Sequence, residues 1–83
     1  MNIGNYILQD RGGDQTFALI TGRLKNGSFK VIAWCSWRNR AVCKSTSGWY
    51  PRPVVVDALS VPEQALEKID RHKRIQDAKL INR

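Results

Sequence analysis

Few residues in this chain can do covalent chemistry, and they do not fall at catalytic spacings. Cys35 and Cys43 are its two thiols and His72 is its one imidazole. A nucleophile needs a base beside it, and His72 falls on the apolar stripe of a predicted helix, where an imidazole usually serves as a partly buried hydrogen-bonding group. Structural zinc takes four ligands at paired spacings; Cys35, Cys43 and His72 supply three, with no Cys-x-x-Cys. Apart from the turn pair Asp10 and Asp14, Asp57 is the only acid near the predicted sheet, and it reads as a cap for a turn or for the helix approach. Gly12-Gly13 carries neither the Walker pattern nor the dinucleotide fingerprint and reads as a turn. The expectation is therefore no enzyme, no metal and no cofactor.

Binding chemistry is better supplied. The 42 residues from Gln15 to Val56 contain no Asp or Glu, yet hold seven Lys and Arg, all three Trp and both Cys. The whole formal charge of +7 sits there, because the other 41 residues carry seven basic and seven acidic side chains. A division of that kind suits a polyanionic partner, most simply nucleic acid. Arginine and lysine meet phosphates, and indoles stack on unpaired bases. The candidate binding residues are Trp34, Trp37, Arg38 and Arg40 around one turn, with Arg23, Lys30, Lys44 and Arg52 extending the charge along neighbouring strands. The competing account is that the tryptophans are core and the charges merely solvated. It leaves the acid-free stretch unexplained.

The elements that must position these groups follow from periodicity. A chain of 83 residues fits one domain, 1–83, with a small core. The pattern predicts an α+β fold: a small antiparallel β-meander of three to five strands over about 5–57, then one C-terminal helix over about 61–80 packed on the sheet. Asn26-Gly27 between alternating apolar residues predicts a hairpin with a two-residue type I′ turn. That register pairs Leu24 with Phe29, Gly22 with Val31, Ile20 with Ala33 and Ala18 with Cys35, and makes this almost wholly apolar face the core beneath the helix. The opposite face then carries Phe17, Leu19, Thr21 and Arg23 beside Lys30, Ile32, Trp34 and Ser36. It is either half covered or itself a binding platform.

A second turn centred on Asn39 would set Trp37 opposite Ala41 and Cys35 opposite Cys43. In that register a disulfide is sterically possible, and two small reduced residues are the plainer alternative. Asn5 to Gln9 reads as a further strand, turned by residues 10–14. Ser45 to Gly48 reads as a polar loop, and Pro53 to Asp57 as a short strand confined by Pro51 and Pro53 to an edge.

Ser60-Val61-Pro62-Glu63 matches a capping box and predicts the helix start. Val61, Ala65, Ile69 and His72 share one stripe with Leu66 at its margin, and Gln76 interrupts it. Glu67 with Arg71 and Asp70 with Arg74 are i,i+4 pairs. A second basic group, Arg71 to Arg74 with Lys79 and Arg83, suits the negative end of the helix dipole without any ligand. A tail frayed beyond Gln76 is a second route to a phosphate backbone.

The function expected from these residues is a small basic nucleic-acid-binding protein, with single strands or RNA favoured over duplex DNA. There is no RNP1 pattern, no Gly-x-x-Gly loop and no cold-shock signature. The alternative is a non-enzymatic protein-binding module whose patch engages an acidic protein surface, such as a phage- or mobile-element-type inhibitor or adaptor of a nucleic-acid-processing machine; Arg, Trp and Tyr also dominate protein hot spots. The first residues lack a basic n-region and a long apolar run, so a cytoplasmic protein with no membrane partner is expected, as monomer or homodimer.

Overall fold

A computed structural model describes residues 1–81, with side chains through Lys79. The chain builds β1 (Tyr6–Arg11), β2 (Asp14–Arg23), β3 (Phe29–Cys35), β4 (Arg40–Ser45) and β5 (Val54–Val56), then a 3-10 turn (Ala58–Ser60) and α1 (Glu63–Ile81). The five strands form one antiparallel sheet in the order β4-β3-β2-β1-β5. The predicted α+β class, an antiparallel sheet followed by one C-terminal helix packed on it, is what the chain adopts. It is a meander only as far as β4, since β5 returns to pair with β1 at the opposite edge.

Glycine decides the two hairpin turns that begin the sheet. Gly12 and Gly13 have φ of 64° and 102°, the pair of positive values a two-residue type I′ turn requires. Asp10 Oδ1 accepts from the Gly13 N–H at 2.9 Å and closes it. At Asn26-Gly27 the outcome differs from the predicted I′ turn. Only Gly27 is left-handed there, with φ of 84°. Leu24 O accepts from Gly27 N at 3.1 Å, and Leu24 N donates to Ser28 O at 2.9 Å, which makes a three-residue loop with a glycine bulge.

The longer loop moves the register. Ala18 pairs with Ala33 and Ile20 with Val31, after which a bulge between Ile20 and Gly22 gives Gly22–Lys30 and Arg23–Phe29 pairs. The alternation of faces up to Ile20 is as predicted, but beyond the bulge it reverses. Arg23 and Lys30 therefore do not share a face. Between β3 and β4, Cys35 O accepts from Asn39 N at 2.9 Å in a four-residue turn with Asn39 at φ 48°. Cys35 then pairs with Arg40 and Ile32 with Cys43. The two cysteines lie on opposite faces, both free, and the predicted cross-strand thiol pair is not formed.

Both faces of the sheet are apolar at its centre, because β2 and β3 each bury four residues in succession, Phe17 to Ile20 and Val31 to Trp34. One cluster joins Phe17, Leu19, Ile32 and Trp34 to Val61, just before α1, and to Ala65 and Ile69 of α1. The other joins Ile7, Ala18, Ile20, Val31 and Ala33, with Phe29 and Trp49 packed on it. The helix thus covers the face predicted to be open, and the face predicted to lie under the helix is covered otherwise. Since β4 and β5 are opposite edges, the segment between them must cross the sheet, and Trp49 in it packs on the second cluster. Gln9, 5% exposed, fastens the crossing by donating from Nε2 to Pro51 O at 3.1 Å.

The predicted stripe is present, although its first member, Val61, precedes α1: Val61, Ala65 and Ile69 are buried, Leu66 and His72 half-buried. The helix does not begin with the predicted capping box. Ser60 closes the 3-10 turn by donating its N–H to Asp57 O, Asp57 Oδ1 caps that turn from Leu59 N, and the first carbonyl to accept in α1 is that of Pro62, from Leu66 N. The predicted cap on the helix approach, Asp57, is the one used. The helix continues past Gln76 through Ile81, and Arg83 lies outside the described residues. No described helix is long and apolar enough to cross a membrane.

Tyr6 packs at the margin of the first cluster. Burial, and secondarily the Asp70 carboxylate, raise its phenol above the ordinary value of 10.0. A folded-state value raised above the unfolded one means the neutral phenol contributes stability that is complete below about pH 10 and lost as pH rises through the folded value. Spectrophotometric titration of the folded protein should show a phenol ionising above the ordinary value, and Tyr6→Phe should remove it and move the alkaline unfolding midpoint upward. An unchanged titration curve in that variant would place the ionising group elsewhere.

Candidate functional site

On each strand the residues that avoid α1 point to the other side of the sheet. Near the β3–β4 turn these are Gln9 and Arg11 of β1, Asp14 and Thr16 of β2, Cys35 of β3, and Arg40, Val42 and Lys44 of β4. The crossing segment places Trp49 and Tyr50 at the rim of this region, and the turn contributes Trp37. Together they enclose an open cleft of about 670 Å³ floored by Gln9, Thr16 and Cys35 and walled by Arg11, Trp37, Lys44, Trp49 and Tyr50. A second depression of about 350 Å³ continues it past Trp37 to Arg38, Arg40 and Val42. Cys35, Trp37 and Lys44 are common to both. The two form one groove.

The groove has flat apolar walls and cationic margins. Trp37 is 66% and Tyr50 84% exposed, unusual for side chains of that size. The Arg38 guanidinium lies over the Trp37 ring at 4.3 Å from its centroid, which holds both at the turn tip. Asp14 is the one acid on the walls, against Arg11, Arg38, Arg40 and Lys44. Among the described residues every ion pair lies on α1: Glu67–Arg71, Lys73–Asp77 and Asp70–Arg74. The first and third are the predicted i,i+4 pairs. The helix neutralises much of its own charge, and among the described residues no carboxylate lies within ion-pair distance of the groove cations.

Of the residues singled out in the sequence, the fold brings Trp37, Arg38, Arg40 and Lys44 together. Trp34 is not among them. It is 4% exposed beneath α1, tilted against Phe17 with ring centroids 6.3 Å apart, and donates from Nε1 to Asn39 Oδ1 at 2.8 Å. A tryptophan so enclosed offers no face to a base. Lys30 lies on the α1 side, next to Lys73 and Asp77. Arg23, turned by the bulge, donates to Asn2 Oδ1 at 3.2 Å. Arg52 lines a separate hollow near Asn26 and Gly27, reached from the groove past Gly48 and Trp49, which border both. The open sheet face predicted to carry Arg23, Lys30 and Trp34 together does not exist.

Three groove residues were missed by sequence reasoning: Arg11, Trp49 and Tyr50. Arg11 lies outside the acid-free stretch and enters only because β1 is a neighbour of β2 with Arg11 opposite Asp14. Trp49 and Tyr50 follow the polar loop, and only the strand order sends them across the sheet. A signal was present in the two unbroken apolar runs of β2 and β3, which mark strands buried on both faces and so require something besides the helix to cover the second. Comparison with known protein families, with curated proteins and with solved structures finds no match for this chain.

Proposed function

We propose that the protein binds single-stranded nucleic acid in the groove opposite α1. The observation that carries this is the exposed Trp37, stacked with Arg38 and flanked by Arg40 and Lys44 with no ion-paired carboxylate. Leaving a tryptophan largely in water forgoes about 1.5–3 kcal/mol of burial, a cost that suits a surface kept for contact. Tyr50 and the face of Trp37 that Arg38 does not cover offer ring surface to bases, with Trp49 between the core and the groove. Arg11, Arg38, Arg40 and Lys44 supply the phosphate contacts. The groove admits separate bases along a rim, and no helix projects from this face to enter a duplex groove.

Fluorescence anisotropy with mixed-sequence single-stranded oligonucleotides tests it. Four cations at about 0.7 each give an expected slope near −3 for log K against log salt. Replacing Arg38 and Arg40 together with alanine should flatten that slope by about 1.4. Absence of binding to any oligonucleotide at low salt would overturn the proposal. Recovery of one acidic protein instead would assign the groove to the second reading, a protein-binding module, in which Trp37 and Arg38 act as hot-spot anchors.

A further inference from the structure

The face carrying α1 holds a second group that the groove does not use. Cys43 of β4, exposed, has its Sγ 3.4 Å from Nε2 of His72, and Gln76, one turn further along α1, reaches both the sulfur and, at 3.4 Å, the same imidazole nitrogen. Thiol, imidazole and carboxamide come from residues 43, 72 and 76, and only the docking of α1 on β4 brings them together. The hollows on either side carry an excess of basic side chains. Lys30 of β3 lines one beside the Lys73–Asp77 ion pair of α1, and Arg40 of β4 with Lys68 of α1 lines the other beside Arg71, which pairs with Glu67.

We infer that Cys43 is a site of reversible S-thiolation by anionic low-molecular-weight disulfides, with His72 as the proton acceptor. With its ring proton on Nδ1, His72 accepts the Cys43 S–H through Nε2. The sulfur's electron pair forms a bond to one sulfur of a disulfide R–S–S–R, whose own S–S bond breaks. The departing thiolate takes the proton from His72 and leaves as R–SH. Cys43 ends as a mixed disulfide, one thiol oxidised and one half of the reagent reduced, with no further oxidant needed. Gln76 donates its amide N–H to the sulfur as charge develops there. Lys30, Lys68 and Arg40, which make no ion pair among the described residues, favour a reagent bearing carboxylates, the chemistry of a glutathione-type peptide.

Cys35 is the internal control. It is half-buried on the opposite face, where Thr16 Oγ1 at 3.9 Å is the one hydrogen-bond neighbour of its thiol among the described residues. Intact protein is treated with oxidised glutathione and the labelled cysteine identified by peptide mass spectrometry, with initial rates taken for wild type and for His72→Gln, Cys35→Ser and Cys43→Ser. Cys43 should be labelled first, unaffected by Cys35→Ser. His72→Gln should slow it by at least about tenfold while leaving Cys35 unchanged. A neutral dithiodipyridine probe should discriminate less between the two cysteines. Preferential labelling of Cys35, or a Cys43 rate untouched by His72→Gln in a variant with the wild-type circular dichroism spectrum, overturns the inference. Cys43 faces away from the groove, so neither result bears on nucleic-acid binding.

Discussion

Replacing Trp34 with alanine should destabilise the protein by about 3–5 kcal/mol, the range for removing a buried aromatic side chain from a packed core. The residue is enclosed by Phe17 and the cluster that α1 completes, so the indole leaves a cavity rather than a surface. Its loss also strips Asn39 Oδ1 of its donor at the residue that holds the left-handed turn position. Domains of this size are stable by only about 5–10 kcal/mol, so much of the folded margin disappears. Urea denaturation followed by circular dichroism measures it. Trp34→Phe keeps an aromatic contact with Phe17 but loses the N–H and part of the ring volume, and should cost less than the alanine variant, about 1–3 kcal/mol. A Trp34→Ala midpoint equal to that of wild type would mean that the indole is not part of the core.

Trp37→Ala should do the opposite. The side chain is mostly in water and touches no core cluster, so the urea midpoint should move by no more than about 0.5 kcal/mol. Affinity for a single-stranded oligonucleotide should fall by about 1–3 kcal/mol, roughly 5- to 150-fold, if a base stacks there. The loss should persist in high salt, where the arginine contribution is screened, and this separates stacking from phosphate binding. Equal affinity of wild type and variant would remove Trp37 from the interface and with it the main support for the groove. Two tryptophans three positions apart thus have opposed assignments, one to stability and one to binding. Neutral quenching of the two single-site variants distinguishes them: the fluorescence removed by Trp37→Ala should be the readily quenched part.

Legibility of this chain differed by kind of interaction. The hairpin at Asn26-Gly27, the amphipathic stripe of Val61, Ala65 and Ile69, and the ion pairs at Glu67–Arg71 and Asp70–Arg74 depend on residues within a few positions of one another, and all are present. The turn type was not legible, because Asn-Gly serves both a two-residue I′ loop and the last two positions of a three-residue loop with a glycine bulge. Those loops differ in register by more than the flanking pattern can discriminate when β2 and β3 are apolar on both faces. The capping box failed for a related reason: Ser60 is used first by the 3-10 turn that Asp57 starts.

The candidate site was legible in composition and not in position. The charge division, the aromatic turn and the absence of acids from Gln15 to Val56 are properties of sequence alone. Alternation also groups side chains into two sets along each strand, since a strand's period is fixed at two. Which set meets the helix depends on the return of β5 to the β1 edge. That strand order sends Trp49 and Tyr50 across one face and α1 across the other. Pairing between strands and packing of layers are non-local, and here both faces offered apolar surface enough to be chosen. The amino-acid order therefore determined that this chain would carry a basic, aromatic surface on an antiparallel sheet with one helix. Only the tertiary structure decided that Trp34 would be core, that Trp37 would be open, and that Cys43 would meet His72.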